Sequence, residues 1–78
     1  SLEQTKTKIE EGSRDYSALE AQASELHAKA GLKTDYFSIC NAATLEPAAP
    51  SDHHLVILTA AWLGATRLID NIQIRLTN

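Results

Sequence analysis

Ten consecutive residues, His54-Leu55-Val56-Ile57-Leu58-Thr59-Ala60-Ala61-Trp62-Leu63, are almost entirely apolar, so whatever they form must be covered on more than one side. The alanines would tolerate a helix. The Leu-Val-Ile-Leu stretch, however, is short, partly β-branched and bounded by polar residues and Gly64, a combination that favours a strand. As a strand it sets Leu55, Ile57 and Leu63 on one face and Val56, Leu58 and Trp62 on the other, which predicts the central strand of a sheet. Gly64-Ala65-Thr66 is a connection short enough for a hairpin, so a partner strand is expected from about Arg67. In it Ile72, Ile74 and Leu76 alternate with Gln73 and Arg75. Asp70-Asn71 interrupts the apolar pattern and predicts a bulge or bend there, giving one kinked strand or two short ones.

Upstream the periodicity is helical. Residues 2–11 read as a short helix opened by Ser1 with Gln4 three positions on and closed near Gly12. A second helix is predicted over 18–30, with Ser17 and Glu20 as a capping box. Its buried face would be Leu19, Ala23, Leu26 and Ala30, and Gly31 its left-handed stop. From Asp35 the period changes to two, with Phe37 and Ile39 alternating against Ser38 and Cys40, and this strand ends near Asn41. The sum is an α+β fold: two N-terminal helices packed on one face of a three-stranded antiparallel sheet, whose other face also needs a cover.

At 78 residues there is room for one small domain, and a domain this small buries only about 60% of the surface its unfolded chain exposes. Marginal stability or association is therefore the expectation. A formal net charge of −3 argues against a nucleic-acid partner, because phosphate neutralisation requires clustered Lys and Arg. The charges that exist lie mostly in residues 1–35. One cysteine makes no internal disulfide, which favours a reducing, cytoplasmic setting, and no signal peptide or membrane span is legible.

No complete active site is visible in the residues. Cys40 has no Lys, Arg or paired His close in sequence to stabilise a thiolate, so it reads as a packed thiol. His53 and His54, being adjacent, would point to opposite faces of a strand. Neither has the spacing to join His27 around a metal ion, and the pair belongs at the rim where the loop enters the central strand. Arg67-Leu68-Ile69-Asp70-Asn71 is the densest polar cluster of the apolar half, explicable by an ion pair or an Asx-capped bend. Trp62 reads as core, or as cover for the open sheet face. Gly12, Gly31 and Gly64 are isolated and begin no phosphate loop. Catalytic, cofactor-binding and metal-ligating residues are thus all expected to be none.

The run Ala60-Ala61-Trp62-Leu63-Gly64-Ala65-Thr66-Arg67-Leu68-Ile69-Asp70-Asn71-Ile72, preceded by Asp35-Tyr36-Phe37-Ser38-Ile39 and Thr44-Leu45-Glu46-Pro47, closely resembles the C-terminal end of the pantothenate synthetase, or pantoate–β-alanine ligase, family. The resemblance covers essentially the whole chain and is strongest at 60–72. It implies a two-domain enzyme in which an N-terminal nucleotide-binding domain is followed by a C-terminal lid, of which residues 1–78 would be a part. The implied reaction condenses pantoate and β-alanine through a pantoyl adenylate, with ATP cleaved to AMP and pyrophosphate and magnesium as the accompanying ion. The family's histidine-rich nucleotide signature and pantoate-contacting glutamines lie in the first domain, and its Met-Ser-containing basic segment at the start of the second. None has a counterpart here. The resemblance therefore implies an inactive piece whose partner is the nucleotide-binding domain, with Arg67, Asp70 and Asn71 shaping the sheet. An independent small oligomerising or binding module is the alternative, and self-association of the isolated chain is expected under either.

Overall fold

The computed structural model describes residues 2–76. Five elements follow one another: α1 (Leu2–Glu10), α2 (Tyr16–Lys29), β1 (Lys33–Asn41), β2 (His54–Leu63) and β3 (Thr66–Arg75). The strands form one antiparallel sheet in the order β1-β2-β3, so the apolar run is indeed the central strand. Phe37, Ile39, Leu55, Ile57 and Ile74 share one sheet face and pack against Ile9 of α1 and Tyr16, Leu19 and Ala23 of α2. This is the α+β arrangement that the periodicities predict, with both helices on the same side.

Both helices stop at a glycine for the same physical reason. After α2, Gly31 (φ 81°) donates to Ala28 O at 3.1 Å and Leu32 to His27 O at 2.8 Å, the paired bonds that use up the helix's last carbonyls once one residue turns left-handed. Gly12 (φ 112°) and Ser13 do likewise with Ile9 O and Lys8 O, both at 3.0 Å. The β2–β3 turn has two central residues, Gly64-Ala65, with the positive φ (60°) at the glycine, which matches the twist of the flanking strands.

The start of α2 differs from the Ser17/Glu20 capping box. Asp15 is the N-cap, accepting from Ala18 N at 3.2 Å, and the helix begins two residues earlier than 18. Glu20 is occupied elsewhere: its Oε2 accepts the backbone N–H of Ile39 at 2.9 Å. That N–H points away from β2, at the free edge of β1, and Ala48 N supplies the matching bond to Ile39 O at 3.0 Å. A side chain and a loop thus blunt an edge that would otherwise offer pairing groups to other chains. Glu20→Ala should leave the Ile39 N–H unpaired and lower stability by about 1–2 kcal/mol. The Ile39 amide would then exchange with deuterium faster than its neighbours, and an unchanged exchange rate would contradict the bond's role.

The buried face of α2 is also shifted from the predicted one. Leu19 and Ala23 are buried as expected, but Leu26 and Ala30 are exposed, and Tyr16 and His27 complete the stripe instead. Tyr16 is 8% exposed and its hydroxyl has no hydrogen-bond partner. Burial pushes its pKa up, a tendency that Arg14 counters and Asp52 reinforces. Removing an unpaired buried hydroxyl removes a desolvation cost, so Tyr16→Phe should stabilise the chain by about 1 kcal/mol. A raised folded pKa means that the unfolded chain loses its phenolic proton first as pH rises. The stability linked to Tyr16 is therefore complete below pH 10, the ordinary value, and is lost above it. Urea titrations at neutral and alkaline pH should show that component of alkaline destabilisation absent from Tyr16→Phe, and a less stable Phe variant would contradict the account.

Irregularity in the sheet lies in β1, not in β3. Asp70-Asn71 neither bulges nor bends: β3 is one continuous strand whose register with β2 is unbroken from Thr66 to Arg75. Asp70 Oδ1 accepts the Asn71 N–H at 2.8 Å, a local bond made without interrupting the ladder. The register shift falls between Thr34 and Tyr36, and β1 begins at Lys33, two residues before Asp35. Thr34 and Phe37 are opposite Ala61 and Thr59, both on the helix-facing side. The extra residue at Asp35 lets two positions three apart share a face, and it turns Asp35 and Tyr36 together to the other side.

Candidate functional site

The side chains with chemical potential separate into three places. On the helix-facing side, His27 is buried, accepts or donates through Nδ1 with Thr34 Oγ1 at 2.9 Å, and meets Phe37 edge-on with ring centroids 6.0 Å apart. Beside it a cavity of about 130 Å³ is lined by Leu2, His27, Leu32, Thr59, Ala61, Leu68 and Asp70. Sites for cofactor-sized ligands run to about 300–1,000 Å³, so this one admits only a very small group.

On the opposite, open sheet face, Arg67 reaches from β3 across β2 to Asp35, with Nη2 2.8 Å and Nε 3.2 Å from the same carboxylate oxygen. The guanidinium carbon also lies 6.0 Å from the centre of the Tyr36 ring. The β1 bulge makes this possible, because it brings Asp35 onto the arginine's side. The pair is well exposed, so it contributes at most about 1 kcal/mol.

Cys40 is buried on that same open face, opposite Val56. Burial pushes its thiol pKa up, and the Glu20 carboxylate adds to the shift. At neutral pH it stays protonated, and a thiol is a far weaker nucleophile than a thiolate. His54 Nε2 lies 3.2 Å from Gln73 Oε1, while His53 precedes β2 and is exposed. The three histidines are therefore on α2, in a loop and at a strand start. Among the described residues no three His, Cys, Asp or Glu side chains converge as metal ligands. Trp62 is not core: it sits near the end of the open face, 38% exposed.

Two features escaped the sequence reading. His27 is a helix-face residue whose ring fills space between α2 and β1, and its spacing from Tyr16, Leu19 and Ala23 (i, i+3, i+7, i+11) is the signal that would have found it. The Asp35–Arg67 pair carried no local signal, since its partners are 32 positions apart.

Among the described residues the chemically capable side chains lie apart, on the two sheet faces and in the loop before β2. The relatives that match the chain are ligases. A profile described as Pantoate-beta-alanine ligase matches residues 1–73, and the chain belongs to that family. It is 49% identical over 75 residues to the pantothenate synthetase of Hahella chejuensis, an alignment that takes in 96% of this chain and 26% of the relative. Over 73 residues it is 52% identical to that of Idiomarina loihiensis and 48% to that of Marinobacter nauticus, each time across 94% of this chain and 26% of the relative. The chain therefore spans about a quarter of the length of the relatives it matches.

Proposed function

We propose that this chain is part of the C-terminal lid domain of a two-domain pantoate–β-alanine ligase working in pantothenate biosynthesis in the cytoplasm. The observation that carries the reading is the near end-to-end match to pantothenate synthetases about four times as long. In the proposed reaction the pantoate carboxylate attacks the α-phosphorus of ATP, forming pantoyl adenylate and releasing pyrophosphate. The β-alanine amine then attacks the acyl carbon, the amide bond forms and AMP leaves. Adenylation is needed because a carboxylate is a poor electrophile whose departing group would be hydroxide or oxide.

ATP and magnesium belong to the N-terminal nucleotide-binding domain in this reading, and residues 1–78 supply no catalytic group. Two features support that division of labour: Arg67 is paired with Asp35, and the Cys40 thiol is held protonated. What the piece contributes is a rigid cover: a sheet backed by two helices can shield a hydrolysable acyl phosphate from water when it closes.

The test is a comparison of two polypeptides, the full-length protein containing these residues and the chain alone, each given pantoate, β-alanine and magnesium-ATP. Pantothenate and AMP are expected from the first only. A full-length protein without this activity would remove the reading.

A further inference from the structure

The tip of the β2–β3 hairpin carries large apolar side chains on both faces and leaves all of them in water. Trp62 and Ile69, on the open face, are 38% and 64% exposed, and Leu63 and Leu68, on the helix-facing side, are 53% and 47% exposed. The helices do not reach far enough to cover this end. α2 stops at Gly31, which together with Lys33, Thr34, Asp35, Trp62 and Gly64 lines an open groove at the root of the tip. Leu2, the first residue of α1, lines the cavity beside His27 together with Leu68. Scattered single apolar residues on a surface need no explanation, but four within eight residues, on a two-stranded projection, form a patch that does.

Resting on the reading that the chain is part of a longer ligase, we infer that this tip docks into the larger remainder of its own polypeptide. The occupant follows from two observations. The tip is apolar on both faces, so a second copy stacked on the open face would cover Trp62 and Ile69 but leave Leu63 and Leu68 wet. A slot in a larger body covers both. Polypeptides of the relatives' length place about three quarters of their mass outside this segment, on the same chain, where tethering gives an effective concentration in the millimolar range that a separate molecule rarely matches. The surroundings suit such an insertion: Asp35 and Arg67 neutralise each other, and Lys33, the cross-strand partner of Trp62, and Asp70 are the charged residues left beside the tip to form a polar rim.

Hydroxyl-radical footprinting of the full-length protein, read by peptide mass spectrometry, tests this. Trp62, Leu63, Leu68 and Ile69 are expected to label about tenfold more slowly than in the urea-unfolded protein. Labelling of either Leu68 or Ile69 within about threefold of the unfolded rate, as their exposure in this segment alone would give, overturns the docking. So does protection that disappears on dilution, which would assign the face to a second copy. Pantothenate formation by the same preparation separates the two ideas. An active protein with an exposed tip sinks the docking and spares the function, whereas an inactive protein with a protected tip does the reverse.

Discussion

Replacing Ile57 by alanine is expected to abolish the cooperative unfolding transition of the chain. Ile57 is fully buried at the centre of the sheet, opposite Ile39 on one side and Ile72 on the other, and beneath the helices. Truncating such a side chain removes its transfer free energy and leaves a cavity, together about 2–5 kcal/mol. A single core in a domain this small supplies no more than about 3–5 kcal/mol. One truncation therefore consumes most or all of the margin, and circular dichroism at room temperature should show a largely unfolded chain. Ile69→Ala is the control: the same chemistry at a site 64% exposed should shift stability by less than about 0.5 kcal/mol. If the two variants melted alike, the core described here would be misplaced.

The contrast between those isoleucines shows what the sequence could and could not say. Alternation in β3 put Ile72 and Ile74 among the apolar positions of a strand, and the doubly apolar run put β2 at the centre, because period and length are properties of local chain. Which of two apolar faces receives the helices is not local. That depends on which side α1 and α2 pack, and so Trp62, which composition makes a natural core residue, ends on the face they leave open. Helix α2 fails at its start in the same way. Ser17 and Glu20 have the spacing of a capping box, but Asp15 caps equally well two residues earlier, and Glu20 satisfies a strand amide that no helix-based argument could see.

The sheet's irregularity was misplaced for a related reason. Asp70-Asn71 looks like a bend because Asx side chains compete for backbone groups. Here Asp70 bonds the next amide while the ladder continues on both sides. The actual bulge, at Asp35, is set by the need for Thr34 and Phe37 to face the helices together, a demand that only the packed structure imposes. The expectation of no catalytic, cofactor-binding or metal-ligating residue rested on missing motifs.

The second large effect is all-or-none. If the chemistry resides in the rest of a longer ligase, severing residues 1–78 from it should lower pantothenate formation by the chain to the uncatalysed level, while the chain keeps its fold. The magnitude follows from where catalysis originates. Adenylation needs groups that hold a triphosphate, stabilise charge developing at phosphorus and position a carboxylate, and such preorganised groups account for rate enhancements of about 10⁶ or more.

Pantoate-dependent exchange of labelled pyrophosphate into ATP reports the first half-reaction directly, without β-alanine. The account predicts rapid exchange by the full-length protein and none by residues 1–78 under the same conditions. Exchange catalysed by the 78-residue chain, abolished by omitting pantoate, would contradict it.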